Sequence, residues 1–221
     1  MVVRRDIADA LEMVDNDGLH FSLTTTHALE DCNLPILNYL YDICGEWDRT
    51  LYCLKHLARS VFALKFQECL WARGAGSNGK DTLAILMKSL SGVYFHNANT
   101  ELLTNIRDLD SPSQSVFNLC GKRFCVIREI AKNIKIRAYI YKTISDSKGL
   151  LKARTLYGCD TEFPPMFLLY LCTNSPLEID DDSGGSARRT RILDLPFNFC
   201  IDPQAPNEKP IDPNVEDNFL G

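Results

Sequence analysis

Two kinds of apolar spacing run through this chain. Leu51, Leu54, Leu57, Val61 and Leu64 step by three and four, which predicts an amphipathic helix, with Asp48 as its cap. A shorter helix is expected ahead of it over Pro35 to Asp42, with Pro35 early in the first turn. Leu83, Leu86, Met87 and Leu90 repeat the helical spacing, and Gly92 stops that helix. Other apolar residues are consecutive rather than periodic. Strands are predicted over Phe66 to Trp71, from Val93 to Phe95, and over Phe124 to Ile127, Met166 to Cys172 and Ile192 to Phe197. Two of these, Phe124 to Ile127 and Met166 to Cys172, are apolar throughout, as strands buried on both faces are.

The polar stretches complete the division. Residues 1–32 are acidic and weakly patterned, with turn signals at Asn16-Asp17-Gly18, and are expected to form a loosely ordered leader. A helical region over 33–65, a core over 66–200 and an extended, proline-rich tail over 201–221 follow. Within the core, Asn97 to Ser115 is expected to be a helix fragment and a surface loop, and Ile134 to Ile144 a basic helix. Ser145 to Gly149 reads as a turn, and Leu150 to Leu156 as one arm of a hairpin with its cations outward. Asp180 to Gly185 is an acidic loop. No internal repeat is visible.

The chemistry concentrates between the first core strand and the helix that follows it. Gly74, Ala75, Gly76, Ser77, Asn78, Gly79 and Lys80 have the G-x-x-x-x-G-K spacing of a phosphate-binding loop. Glycines let backbone N–H groups wrap a polyphosphate, Lys80 brings a point charge to the β/γ oxygens, and the helix adds the positive end of its dipole. The next position takes Ser or Thr in such loops, as a Mg²⁺ ligand; here it is Asp81, with Thr82 after it. The apolar run Phe124 to Ile127 leads through Arg128 to Glu129, which places an acid where it could polarise water or hold Mg²⁺ through water. Asn174, after the strand Met166 to Cys172, could orient a lytic water or contact a γ-phosphate, and Asn-x-Pro is also ordinary turn chemistry.

Composition narrows the class. At 45% hydrophobic and 24% charged residues, the 221-residue chain is that of a globular protein, and no apolar run reaches the roughly 18 residues of a membrane span. Nine scattered cysteines without a C-x-x-C pair point to reduced core thiols in an intracellular protein, not to zinc or a disulfide framework. Net charge is −5, yet Gly121 to Gly158 holds ten basic residues and only two acids, a local footprint suited to a phosphate backbone or a solvated charged face.

The motifs also follow one another in a telling order. Gly-x-x-x-Asn-Gly-Lys is followed by Gly-Lys-Arg and a strand leading to Glu129, then by Ala-Arg-x-Leu-Tyr-Gly (Ala153 to Gly158). Phe-Pro-Pro-Met-Phe, Cys-Thr-Asn-Ser-Pro and Arg-Arg before Leu-Pro-Phe come next. This succession, over roughly Leu34 to Phe199, resembles the ATPase domain of superfamily 3 helicases, in particular the poxvirus-type, phage and plasmid primase-helicase group. The resemblance implies an α/β fold of the AAA+ P-loop NTPase kind, with a parallel central sheet flanked by helices and a small helical region on its amino-terminal side. It implies ATP and Mg²⁺ as cofactors, single-stranded DNA as partner, a homohexameric ring with shared active sites, and primase or other replication partners. Residue by residue, Gly74 to Lys80 would hold the triphosphate, Glu129 would be the Walker B acid and Asn174 the sensor of the γ-phosphate. An arginine finger would come from Arg188 or Arg189, with Arg191 a further candidate, and Lys148, Lys152 and Arg154 fall on the channel-lining hairpin. Asp81 departs from the family's Ser, leaving Thr82 or the carboxylate as metal ligand, and Ser145-Asp146-Ser147-Lys148 replaces its Gly-Gly-Asp. A viral, plasmid or integrated source follows from the resemblance, in cytoplasm or nucleus.

Two other functions share the loop. A degenerate module would bind nucleotide or DNA without turnover, as Asp81 suggests. A P-loop small-molecule kinase would act as a monomer on a small acceptor, against which the basic hairpin and paired arginines argue.

Overall fold

The computed structural model describes residues 14–15, 18–19, 35–64, 67–104, 113–128, 130, 132, 134–146, 148–154, 158–181 and 183–217. Two helices lead, α1 (Pro35–Cys44) and α2 (Trp47–Val61). The loop-bearing strand β1 (Cys69–Arg73) and helix α3 (Lys80–Ser91) follow, then β2 (Phe95–Ala98) and two single-turn helices, α4 (Glu101–Thr104) and α5 (Gln114–Phe117). Next come β3 (Phe124–Ile127), β4 (Lys135–Ile136), α6 (Ala138–Ile144), β5 (Leu151–Arg154) and β6 (Asp160–Phe163). The chain continues through β7 (Leu168–Thr173), β8 (Glu178–Ile179), β9 (Thr190–Asp194), β10 (Asn198–Cys200) and β11 (Glu208–Pro210).

Five strands form one parallel sheet in the order β9-β1-β7-β3-β2. Side chains alternate across it. Leu70, Ala72, Phe124, Val126, Leu168 and Tyr170 face α1, α2 and α3. Cys69, Trp71, Cys125, Ile127, Leu169 and Leu171 face α4, α5, α6 and the β5–β6 hairpin. Both faces are thus covered, which is why β3 throughout and β7 as far as Cys172 are apolar and buried. The result is the expected α/β, P-loop NTPase-like arrangement of a parallel sheet flanked by helices. Among the described residues no helix is long and apolar enough to cross a membrane.

Several boundaries differ from expectation, each for a local reason. Helix α2 begins at Trp47, so Asp48 lies in its first turn and Glu46 occupies the cap position. Strand β1 starts at Cys69, just after Glu68, whose carboxylate meets His56, Arg59 and Arg191; Phe66 lies outside the described residues. Gly92, at φ +53°, turns the chain into a 3-10 turn carrying Val93 and Tyr94, so β2 starts at Phe95. Strand β9 spans Thr190–Asp194, and Leu195 N–H donates to Arg73 O just before Pro196. The expected basic helix divides at Arg137, where Asp180 accepts from the Arg137 guanidinium and the Ala138 N–H and so sets the start of α6. The β5–β6 hairpin is antiparallel, with Leu151 and Ala153 buried and Lys152 and Arg154 exposed, as the alternation predicts. Residues 201–217, expected to be extended, fold back: β11 pairs with β10, and Lys209 reaches Asp42 of α1 and the Phe197 ring. Within the expected leader, Val14–Asp15 pairs antiparallel with Gly18–Leu19. Ser147 and residues 105–112, 155–157 and 218–221 lie outside the described residues.

Candidate nucleotide site

The loop from Gly74 to Gly79 leaves the carboxyl end of β1 and opens α3. Gly76 and Gly79 adopt φ of +121° and +84°, conformations that only glycine enters without strain, and Ser77 is carried along at +42°. A Cβ at Gly74 would lie 1.5 Å from Asn78 Nδ2, and one at Gly79 would lie 2.5 Å from Ile43 Cγ2. The motif's glycines are therefore demanded by the packing around the loop as well as by any ligand.

Neighbouring elements hold the loop. Gly74 N–H donates to Thr173 O at the end of β7, and Phe199 N–H donates to Ser77 O. The Tyr39 hydroxyl of α1 donates to Gly79 O at 2.6 Å, and the buried Tyr170 hydroxyl of β7 to Lys80 O at 3.2 Å. Burial raises both phenols well above the usual range, so both stay protonated as donors.

A cleft of about 230 Å³ opens over the loop, lined by Gly76, Ser77, Lys80, Asp81, Ile130, Cys172 and Asn174. The Lys80 side chain is buried and its ammonium donates to Asn78 Oδ1 at 3.1 Å, while Asn78 Nδ2 is buried without a hydrogen-bond partner among the described residues. Asn174, exposed at the tip of β7, completes the far wall. The Cys172 thiol is pushed up to about 12, first by burial and then by the Asp81 carboxylate, so it is a neutral part of the wall. Parallel strands thus bring Lys80 and Asn174 together although they are far apart in sequence.

The other expected groups are placed less uniformly. Glu129 lies outside the described residues; its neighbour Arg128 points its guanidinium at Asp81, Nε to Oδ1 3.6 Å. The Thr82 side chain lies beside the Tyr39 hydroxyl. The position after Lys80 thus offers an exposed carboxylate, with Arg128 beside one of its oxygens, where such loops offer Mg²⁺ a hydroxyl. Among the described residues, Arg188 and Arg189 do not line the cleft. Arg188 is exposed, Arg189 is buried with Nη1 donating to Gly185 O, and Arg191 is bound to Glu68 at 2.7 Å.

Besides Arg128, four of the ten cations of the basic block meet acids from outside it among the described residues. Arg137 pairs with Asp180, Lys142 with Asp181, Lys152 with Glu162 and Arg154 with Asp160. Lys148 is exposed in the turn before β5. Sequence reasoning missed Arg128 and the tyrosine braces. The first had a signal, as the residue between the apolar run and Glu129; the braces come from helix and sheet packing and had none.

No family model matches the chain. It is similar to "Putative helicase L207/L206" of Acanthamoeba polyphaga mimivirus, 25% identical over 190 residues, covering 77% of this chain and 20% of that protein. Its fold is similar to solved apo structures of the NrS-1 C-terminal region. One gives a TM-score of 0.59 at 16% identity, covering 86% of this chain and 42% of the other. Another gives 0.56 at 16% identity, covering 84% and 41%. The chain thus spans about a fifth of the length of the viral protein and about two fifths of the solved chains, a helicase-like likeness in sequence and a shared fold in structure.

Proposed function

We propose that the chain is the ATPase core of a nucleic-acid motor of the superfamily 3 helicase type, coupling ATP hydrolysis to movement along single-stranded DNA. The observation that supports it best is the cleft itself, in which a buried lysine in a glycine-rich loop faces an asparagine from the neighbouring strand. The helicase designation of the viral relative supports the same reading. On this proposal the loop N–H groups and Lys80 hold the triphosphate and Asn174 orients the γ-phosphate or the attacking water. Glu129 accepts the proton of that water. Arg188 or Arg189 reaches the cleft of an adjacent copy in a six-membered ring, and Lys148, Lys152 and Arg154 grip the phosphates of the strand in its channel. A primase or another replication protein would work beside it.

Steady-state ATP hydrolysis by the purified chain, with and without single-stranded DNA, tests the proposal. Turnover stimulated by DNA is expected to fall by about a hundredfold or more in Lys80→Ala and in Glu129→Gln. Turnover indifferent to both substitutions would reject it. A second reading, nucleotide binding without turnover, is favoured by the Asp81–Arg128 contact. It predicts binding that Lys80→Ala removes, no hydrolysis in the native chain, and hydrolysis gained by Asp81→Ser.

A further inference from the structure

We propose that Arg128 takes the place of the divalent cation at this loop, neutralising Asp81 and positioning the polyphosphate, so that nucleotide binds without requiring Mg²⁺; this rests on the phosphate-loop reading above. Two departures from the ordinary loop meet in space. Asp81 puts a carboxylate on the cleft wall where a hydroxyl belongs, and a carboxylate there repels phosphate. Arg128 arrives from the tip of β3, the strand beside β7, and the register that pairs Ile127 with Leu171 brings it level with Cys172 on the cleft wall. Its Nε stands 3.6 Å from Asp81 Oδ1, too far for a hydrogen bond, and is buried without a hydrogen-bond partner among the described residues. A buried guanidinium N–H without an acceptor is costly, and a phosphate oxygen would satisfy it.

The charges converge on one wall. The Cys172 thiol, raised first by burial, is pushed further up by Asp81 and pulled down by Arg128 and Lys80, so all three lie near it. Lys80 and Arg128 bring two cations to Asp81, the carboxylate that lines the cleft among the described residues; without Arg128, Lys80 and Asp81 would cancel and the attraction for a polyanion would weaken. A fixed arginine does what a mobile divalent ion does elsewhere, and its planar donors suit phosphate better than an ammonium would.

The experiment is equilibrium binding of a fluorescent ATP analogue, read by anisotropy, in excess EDTA and in excess MgCl₂. The native chain is expected to bind in both buffers with affinities within about threefold of each other, and Arg128→Gln to lose about tenfold or more in both. Arg128→Lys keeps the charge and should retain most of the affinity. Asp81→Ser should bind more tightly than the native chain in EDTA. The double variant Asp81→Ser/Arg128→Ser restores an ordinary loop and should bind only with Mg²⁺. It also carries the test if Arg128→Gln, checked by its melting curve, fails to fold. Native binding that depends on Lys80, collapses in EDTA and is unchanged by Arg128→Gln would overturn the role of Arg128 while leaving the phosphate loop standing. Binding equal in Lys80→Ala and the native chain, or absent from both, would reject the loop reading itself and this proposal with it.

Discussion

Single residues in the loop are constrained by backbone conformation before any ligand enters. Gly79 is held at φ +84° with Ile43 Cγ2 2.5 Å from where a Cβ would sit. Gly76 has a positive φ too, but nothing within 4 Å of the added atom. Gly79→Ala therefore meets both a backbone and a steric penalty, and Gly76→Ala only the first. Urea unfolding should show Gly79→Ala destabilised by about 1–3 kcal/mol and more than Gly76→Ala. Equal effects would mean that Ile43 moves aside freely. The same position joins α1 to the loop, since the Tyr39 hydroxyl donates to its carbonyl.

Among the elements, the β5–β6 hairpin is the one whose charge and surroundings disagree most with its composition. Its outward cations face acids directly across the ladder, Lys152 opposite Glu162 and Arg154 opposite Asp160. These pairs are exposed, and such pairs contribute little to stability, so they can be exchanged for phosphate contacts at small cost. If the hairpin grips single-stranded DNA, Lys152→Ala/Arg154→Ala should reduce the slope of log affinity against log salt by about 1.4. Asp160→Asn/Glu162→Gln, which frees the same cations, should raise affinity at low salt. Anisotropy titrations of a labelled oligonucleotide at several salt concentrations check both; no change in either variant would reduce the hairpin to a folded-in ladder of ion pairs.

In the whole molecule, the amino-terminal helices are tied to the edge of the sheet through Glu68. Its carboxylate meets His56 and Arg59 of α2 and Arg191 of β9, and is drawn down to about 2, first by the His56 hydrogen bond. A carboxylate held lower in the folded state than its ordinary 4.5 contributes stability above that pH and loses it as pH falls toward 2. Thermal unfolding should therefore show stability falling across this window, and Glu68→Gln should be less stable near neutrality with a flatter acid limb. An acid limb as steep as the native one would place the titration elsewhere. Arg191 is the member of this node that belongs to the sheet.

What the linear order of residues determined is what depends on neighbours along the chain. The helical spacing of α2 and α3, the all-apolar β3 and β7, the alternation in β5 and the glycines of the loop are readable because periodicity and φ are local properties. Lys80 was legible for the same reason, being next to those glycines. Asn174 was legible only as the polar residue after an apolar strand. That it shares a cleft with Lys80 follows from β7 lying beside β1 in the sheet. The tertiary structure alone decided which charges meet. Asp81 with Arg128, Glu68 with Arg191, and Asp180 and Asp181 with Arg137 and Lys142 are brought together by tertiary packing of segments distant in the chain. Charge interactions depend on distance in space and on the dielectric between the groups, and neither is written in spacing along the sequence.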